Sequence, residues 1–156
     1  MGKNFYAIRR MENSLKDYII KNIINDNYNE AKDLLNKLTK PVHIGKYEEG
    51  WKFLFDWNYN RFYELNRKSI NNFLSDDMII VDNDNNNVNL ENFWKIVDNS
   101  SDGIDNKTYF TRKLSDIDIS FLLAEEFPPH ELKKYNPKYY EFYSDNLRFS
   151  TEVDFK

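Results

Sequence analysis

The sequence predicts an α+β domain: a small antiparallel sheet of hairpins with an N-terminal helical pair and further short helices. Three observations predict it. Runs of β-formers come in pairs joined by polar turns, which favours antiparallel neighbours. Between them stand stretches with apolar residues three and four apart, the period of a helix buried on one face. No repeat of fixed period runs through the chain, and its 156 residues fit a single domain, 1–156.

Lys3–Arg9 (KNFYAIR) is rich in β-formers and predicts the first strand. Ser14 offers an N-cap to a helix whose Leu15, Tyr18, Ile19 and Ile23 share one apolar face. Asn25-Asp26-Asn27 breaks that pattern, and Asn27 or Asn29 caps a second helix carrying Ala31, Leu34, Leu35 and Leu38. Pro41 stops it. The short connection makes an αα-hairpin of residues 14–40, an insertion within the domain.

Val42–Lys46 and Trp51–Trp57 predict two strands closed by Tyr47-Glu48-Glu49-Gly50, where Gly50 supplies a positive φ. Phe53, Phe55 and Trp57 alternate with Leu54 and Asp56, and Trp51 shares the aromatic face, so this strand is expected to be half-buried. Asn66–Ser75 predicts a helix with Ile70, Phe73 and Leu74 inward. Met78–Val81 predicts a buried strand and Asp82–Asn87 a polar turn. Asn89 caps a helix, Leu90–Val97, with Phe93, Trp94 and Val97 on its apolar face. Asn99–Asn106 reads as a loop with Gly103, and residues 107–127 alternate poorly. Pro128-Pro129 opens a short helix through Lys134. Tyr139–Tyr143 and Leu147–Ser150 predict a last hairpin around Ser144-Asp145-Asn146, a turn that tolerates left-handed φ.

Composition narrows the functional classes. An aromatic share of 17% argues for a packed core rather than disorder. The absence of cysteine removes disulfides, thiolate zinc sites and cysteine nucleophiles. No apolar run approaches the ~18 residues of a membrane span, and the opening MGKNFYAIRRMENS lacks the apolar stretch of a secretory signal, so cytoplasmic residence is expected. The net charge of −4 is unevenly placed. Residues 1–75 carry 13 basic and 9 acidic side chains, residues 76–106 carry 1 and 8, and residues 107–156 carry 8 and 9. The middle of the chain is an acidic block.

Most motifs have an ordinary structural reading. Asp82, Asp84 and Asn86 match the first ligands of a calcium loop, but Asn87 stands where that loop needs Gly and Phe93 where it needs a bidentate Glu. A solvated turn before a capped helix explains them better. Only two histidines occur, His43 and His130, too few for a metal site without thiolates. A hydrolase would need one of them to meet a carboxylate and a nucleophile in one pocket. Four glycines in all leave no phosphate-binding loop. The adjacent acids Glu48-Glu49, Asp76-Asp77 and Glu125-Glu126 read as exposed charge. Trp51, Phe53, Phe55, Trp57, Tyr59, Phe62 and Tyr63 have basic neighbours and offer a base-stacking platform, although aromatic rings more often fill cores.

Several segments together resemble a family of small, mostly uncharacterised phage and prophage proteins. They are Gly2-Lys3-Asn4-Phe5-Tyr6, then His43-Ile44-Gly45-Lys46 followed by Gly50-Trp51-Lys52-Phe53. Val81-Asp82-Asn83-Asp84, Leu90-Glu91-Asn92-Phe93-Trp94 and Asp145-Asn146-Leu147-Arg148-Phe149-Ser150 add weaker matches. The resemblance covers about a third of the chain and centres on the His-Ile-Gly-Lys…Gly-Trp-x-Phe hairpin. Many members place a cysteine-bearing hairpin where this chain has the helical pair, so no family zinc site is expected here. The resemblance implies phage origin and no catalytic residues. It marks His43, Gly45, Lys46, Gly50 and Trp51 as signature positions with structural roles.

Two functional expectations follow. The first is a non-enzymatic phage-type binding protein that inhibits a host defence complex, as an anti-CRISPR protein would, in the cytoplasm of an infected bacterium. Its partner is a host protein or ribonucleoprotein, met through the acidic surface of Asp76, Asp77, Asp82, Asp84, Glu91 and Asp98. The alternative is a nucleic-acid-binding module using the aromatic hairpin 42–63 with Lys46, Lys52, Arg61, Arg67 and Lys68. Neither calls for a cofactor or metal, and neither involves a membrane.

Overall fold

A computed structural model describes residues 2–57, 62–100 and 141–150. The chain runs β1 (Lys3–Arg9), α1 (Asn13–Ile24), α2 (Tyr28–Leu38), β2 (Val42–Tyr47), β3 (Leu54–Asp56), α3 (Arg67–Ser75), β4 (Met78–Asp82), β5 (Asn87–Val88), α4 (Leu90–Asn99), β6 (Glu141–Ser144) and β7 (Leu147–Ser150). The strands form one sheet in the order β5-β4-β1-β2-β3-β7-β6. The α+β class and the helical pair are as the sequence predicts. Most neighbours are antiparallel, but β3 and β7 run parallel, with Phe55 opposite Phe149. A long stretch of chain separates these two strands, and parallel pairing needs such a connection. The sheet is therefore mixed. Of the loop expected over Asn99–Asn106, Asn99 instead ends α4 and Ser100 is its C-cap; the rest of that loop, the segment 107–127 and the helix after Pro128 lie outside the described residues, as do Tyr59, Arg61, Glu125, Glu126 and His130.

Local chemistry explains most boundaries. Asn66 and Asn89 cap α3 and α4, each accepting a bond from the backbone N–H three residues on, at 2.7 and 2.8 Å. Ser14 is not a cap: α1 starts at Asn13, with Glu12 in the N-cap position. The β6–β7 turn places both Asp145 and Asn146 at positive φ, 51° and 59°. This is the mirror-image turn that matches strand twist.

One face of the sheet carries the core. Phe5, Ile44, Phe53, Phe55, Phe149, Ile70, Leu74, Phe93, Trp94 and Val97 are buried together. Phe93 of α4 sits at the centre, 5.4 Å from Phe53 and 5.8 Å from Phe5 between ring centroids, both edge-on. A bulge shifts the β1–β2 register between Phe5 and Tyr6. Phe5 thus faces Gly45 while Tyr6 faces His43 on the other side. β3 is shorter than the predicted Trp51–Trp57 strand, and Leu54, Phe55 and Asp56 are all buried. It is an interior strand flanked by β2 and β7, so the alternation seen in sequence separates two covered faces rather than core from solvent.

Candidate functional site

On the face of the sheet away from the aromatic core, His43 of β2 and Asp56 of β3 form a buried polar pair. His43 Nδ1 lies 2.7 Å from Asp56 Oδ2, and Nε2 lies 2.9 Å from Asn4 Oδ1. The Tyr6 ring packs 5.3 Å from the imidazole. The ring is satisfied as an imidazolium donating both ways, or as a neutral ring with the Asn4 amide turned to donate to Nε2. The side chains of His43 and Asp56 are each only 2% exposed. Asn4 and Asp56 occupy both ring nitrogens, and a nucleophile would need one of them. The arrangement ties β1, β2 and β3 together. Asp56 Oδ1 is buried with no hydrogen-bond partner among the described residues. Tyr63 closes the cluster, its hydroxyl bonding the Asp56 carbonyl oxygen and lying 3.3 Å from that of Ile44. Burial first, and the Asp56 charge second, push that hydroxyl well above the usual phenol range.

Gly45, Lys46, Gly50 and Trp51 belong to the same hairpin segment. A Cβ on Gly45 would stand 2.3 Å from the Leu54 carbonyl oxygen and 2.7 Å from the Phe53 ring, so only glycine fits there. Gly50 has open space but a φ of +85°, which L side chains avoid. Lys46 pairs with Glu48 at 3.5 Å. The Arg148 guanidinium sits 5.2 Å over the Trp51 ring.

Five of the six acidic residues expected at the contact are paired with cations of the same chain. Asp76 pairs with Arg9 at 3.7 Å and Asp77 with Arg10 at 3.2 Å. Glu91 pairs with Lys95 at 3.4 Å, one helical turn away. Asp98 grips Arg67 through two bonds of 2.6 and 2.9 Å. The Arg67 bonds hold the Asp98 carboxyl below the usual carboxylate range. Asp82 is turned into its own loop, accepting from the backbone N–H of Asn86 at 3.0 Å and of Asp84 at 2.9 Å, with Lys3 at 3.5 Å. The Asn86 amide is the largest cause of its lowered pKa. These bonds make the segment a self-satisfied turn, with its carboxylate drawn inward. Asp84 alone of the six residues enters none of these pairs through its side chain and remains exposed.

Among the described residues, most of the aromatic rings of the alternative expectation are taken up by the core. Phe53, Phe55, Trp57 and Tyr63 are buried. Phe62 is exposed on one side and packs 5.8 Å from Phe73. Arg67 stacks 4.2 Å over Trp94 as well as binding Asp98. Lys52 is half-buried and Lys68 exposed.

The helical pair stands out instead. α1 and α2 pack on each other, burying Ile19, Asn22 and Ala31. Ile20, Ile23 and Ile24 fall at i, i+3 and i+4 and form a second apolar stripe on α1, 52%, 48% and 74% exposed. Tyr18, Tyr28 and Leu35 are also exposed. The sequence expectation put Tyr18 and Ile23 on the inward face. One period accommodates both stripes, and the inner one is taken by Leu15, Ile19 and Asn22. Spacing reveals that α1 is apolar, but its excess of apolar positions over one face was the signal of an outward stripe.

Comparison with known proteins adds no relative. The chain matches no family model, no curated protein and no solved structure. Among the described residues, no helix is long and apolar enough to cross a membrane, and no three His, Asp or Glu side chains group as metal ligands.

Proposed function

We propose that this chain is a non-enzymatic, phage-type binding protein that disables a host defence complex by docking on it through the helical pair. The observation that carries the reading is the outward stripe Ile20, Ile23 and Ile24 on α1. Contiguous exposed apolar surface of this kind is costly in water and marks a contact site. The resemblance of the His43–Lys46 and Gly50–Phe53 segments to phage proteins supports the setting. The internal pairing of Asp76, Asp77, Asp82, Glu91 and Asp98 moves the weight of the contact from charge to apolar area.

The test is binding to defence nucleases, with and without their guide RNA, and inhibition of target cleavage. The double variant Ile20→Ser/Ile24→Ser loses binding, while Asp84→Lys keeps it. Loss with Asp84→Lys alone returns the contact to the acidic block. A salt-sensitive shift of single-stranded nucleic acid, with no protein partner, overturns the reading in favour of the nucleic-acid module.

A further inference from the structure

We infer that two copies of this chain pair through α1, antiparallel about a two-fold axis, and so cover the isoleucine stripe until a target takes it. The inference rests on the docking role proposed above and adds what occupies that surface in the free protein. Ile20 and Ile24 lie one above the other on α1, with Ile23 beside them, each half-exposed or more. Lys16 continues the row one turn earlier and is exposed. Asp26 stands just past the other end of the helix, in the turn to α2, and is exposed as well. The face is thus apolar in the middle, cationic at one end and anionic at the other, and it complements a reversed copy of itself.

Helical rise sets the register. Lys16 meets Asp26 of the second copy when the axis crosses α1 level with Lys21, and symmetry makes that contact twice. At roughly 1.5 Å per residue, Ile20 and Ile24 then stand roughly 1.5 and 4.5 Å from the axis on opposite sides, and the four side chains of the two copies interleave at steps of roughly 3 Å. Both charges are available for the contact. Lys16 enters no ion pair among the described residues. Asp26 accepts the Tyr28 hydroxyl on Oδ1 at 2.8 Å, which leaves Oδ2 for the second copy. The ammonium also arrives beside the C-terminal carbonyls of the other α1, the end of a helix that favours a cation. Lys21 faces its own copy at the axis, where Asp17 of each chain, one turn away on the same flank, balances it. Three isoleucines a side fall short of the roughly 800 Å² per partner of a stable interface, so the pair is weak, with a dissociation constant on the order of tens of micromolar, and yields to a target. At low micromolar the chain is single, and stripe variants leave its own stability alone.

The experiment is sedimentation equilibrium of the full chain from ~1 µM to ~1 mM, across which its mass rises from one chain to two. Ile20→Ser/Ile24→Ser stays single throughout. Lys16→Glu weakens pairing about tenfold, because it sets two carboxylates against each other at both ends. Adding Asp26→Asn restores most of that loss; Asp26 has a φ of 63°, which Asn also tolerates. The chain has no cysteine, so an introduced one reports alone. Ile20→Cys oxidises to a covalent dimer, its two Cα atoms offset by roughly 3 Å along the helices. Ile24→Cys does not, since an offset of roughly 9 Å is beyond a disulfide's reach. The oxidised Ile20→Cys dimer does not bind the defence nucleases, and reduction restores binding. A chain that stays single at ~1 mM overturns the inference. So do equal disulfide yields at the two positions, which a parallel pair gives, a further loss on adding Asp26→Asn, or nuclease binding by the oxidised dimer. If Ile20→Ser/Ile24→Ser abolishes nuclease binding in a chain that never pairs, this inference falls and the docking reading stands. Pairing in a chain that binds no nuclease removes the docking reading and leaves the pair.

Discussion

His43 Nδ1 stands 2.7 Å from Asp56 Oδ2, and the two side chains are sealed from water between neighbouring strands. A pair this buried holds its strands together only while both partners are present. His43→Leu leaves a buried carboxylate with neither oxygen served by the ring, a change that costs about 3–5 kcal/mol. Urea unfolding measures it. The double variant His43→Leu/Asp56→Leu loses less than the sum of the single changes, because it removes the orphaned charge and the unpartnered Oδ1 together. Strict additivity would show that the pair is not coupled.

The two glycines of the hairpin, Gly45 and Gly50, should differ sharply. Gly45→Ala drives a methyl group into the Leu54 carbonyl and the Phe53 ring, inside a packed sheet. Overpacking of this kind costs about 1–3 kcal/mol, and backbone contact puts this site at the upper end. Gly50→Ala meets nothing, so only its φ of +85° opposes the change, by about 1–2 kcal/mol. Denaturant midpoints rank the two. Gly50→Ala proving the more damaging would refute the close-approach account of Gly45.

How far these features were legible depends on whether the signal was local. β1, α3 and α4 could be read because each carries its own pattern and caps, as Asn66 and Asn89 show. The Asp145-Asn146 turn was legible from its tolerance of positive φ. The parallel β3–β7 pairing was not, since no local property of Phe55 names Phe149 as its neighbour. His43 and Asp56 are 13 residues apart, and their meeting depends on the β2–β3 alignment. The acidic block was visible as charge, but Arg9, Arg10 and Arg67, which neutralise three of its residues, come from distant parts of the chain.

Acid should destabilise the fold through Asp82 and Asp98. Both have folded-state pKa values below the ordinary carboxylate value, Asp82 chiefly from the Asn86 amide and Asp98 chiefly from Arg67. Their contribution is present above the unfolded value of about 3.9 and is lost as pH falls through the lower folded value. The native state therefore binds fewer protons than the unfolded state in that window, and stability rises with pH across it. Urea midpoints measured from pH 6 downwards show this slope. Asp82→Asn and Asp98→Asn each flatten it while lowering stability at neutral pH. A slope unchanged in both variants would place the acid sensitivity elsewhere.

The outward stripe of α1 makes the last prediction. A residue that supports the fold is damaging to truncate, and a residue held for a partner is not. Ile19 is 6% exposed, between α1 and its surroundings, and Ile19→Ser costs about 2–4 kcal/mol through lost burial and a stranded hydroxyl. Ile24 is 74% exposed on the same helix, so Ile24→Ser changes stability by no more than about 0.5 kcal/mol. Ile20→Ser behaves alike. The same exposed variants reduce binding of a hydrophobic dye such as ANS to the folded chain, because they remove the surface it reports. The contrast within one helix separates packing from recognition. A large loss of stability for Ile24→Ser would mean that the stripe belongs to the chain's own core and that no partner is needed to explain it.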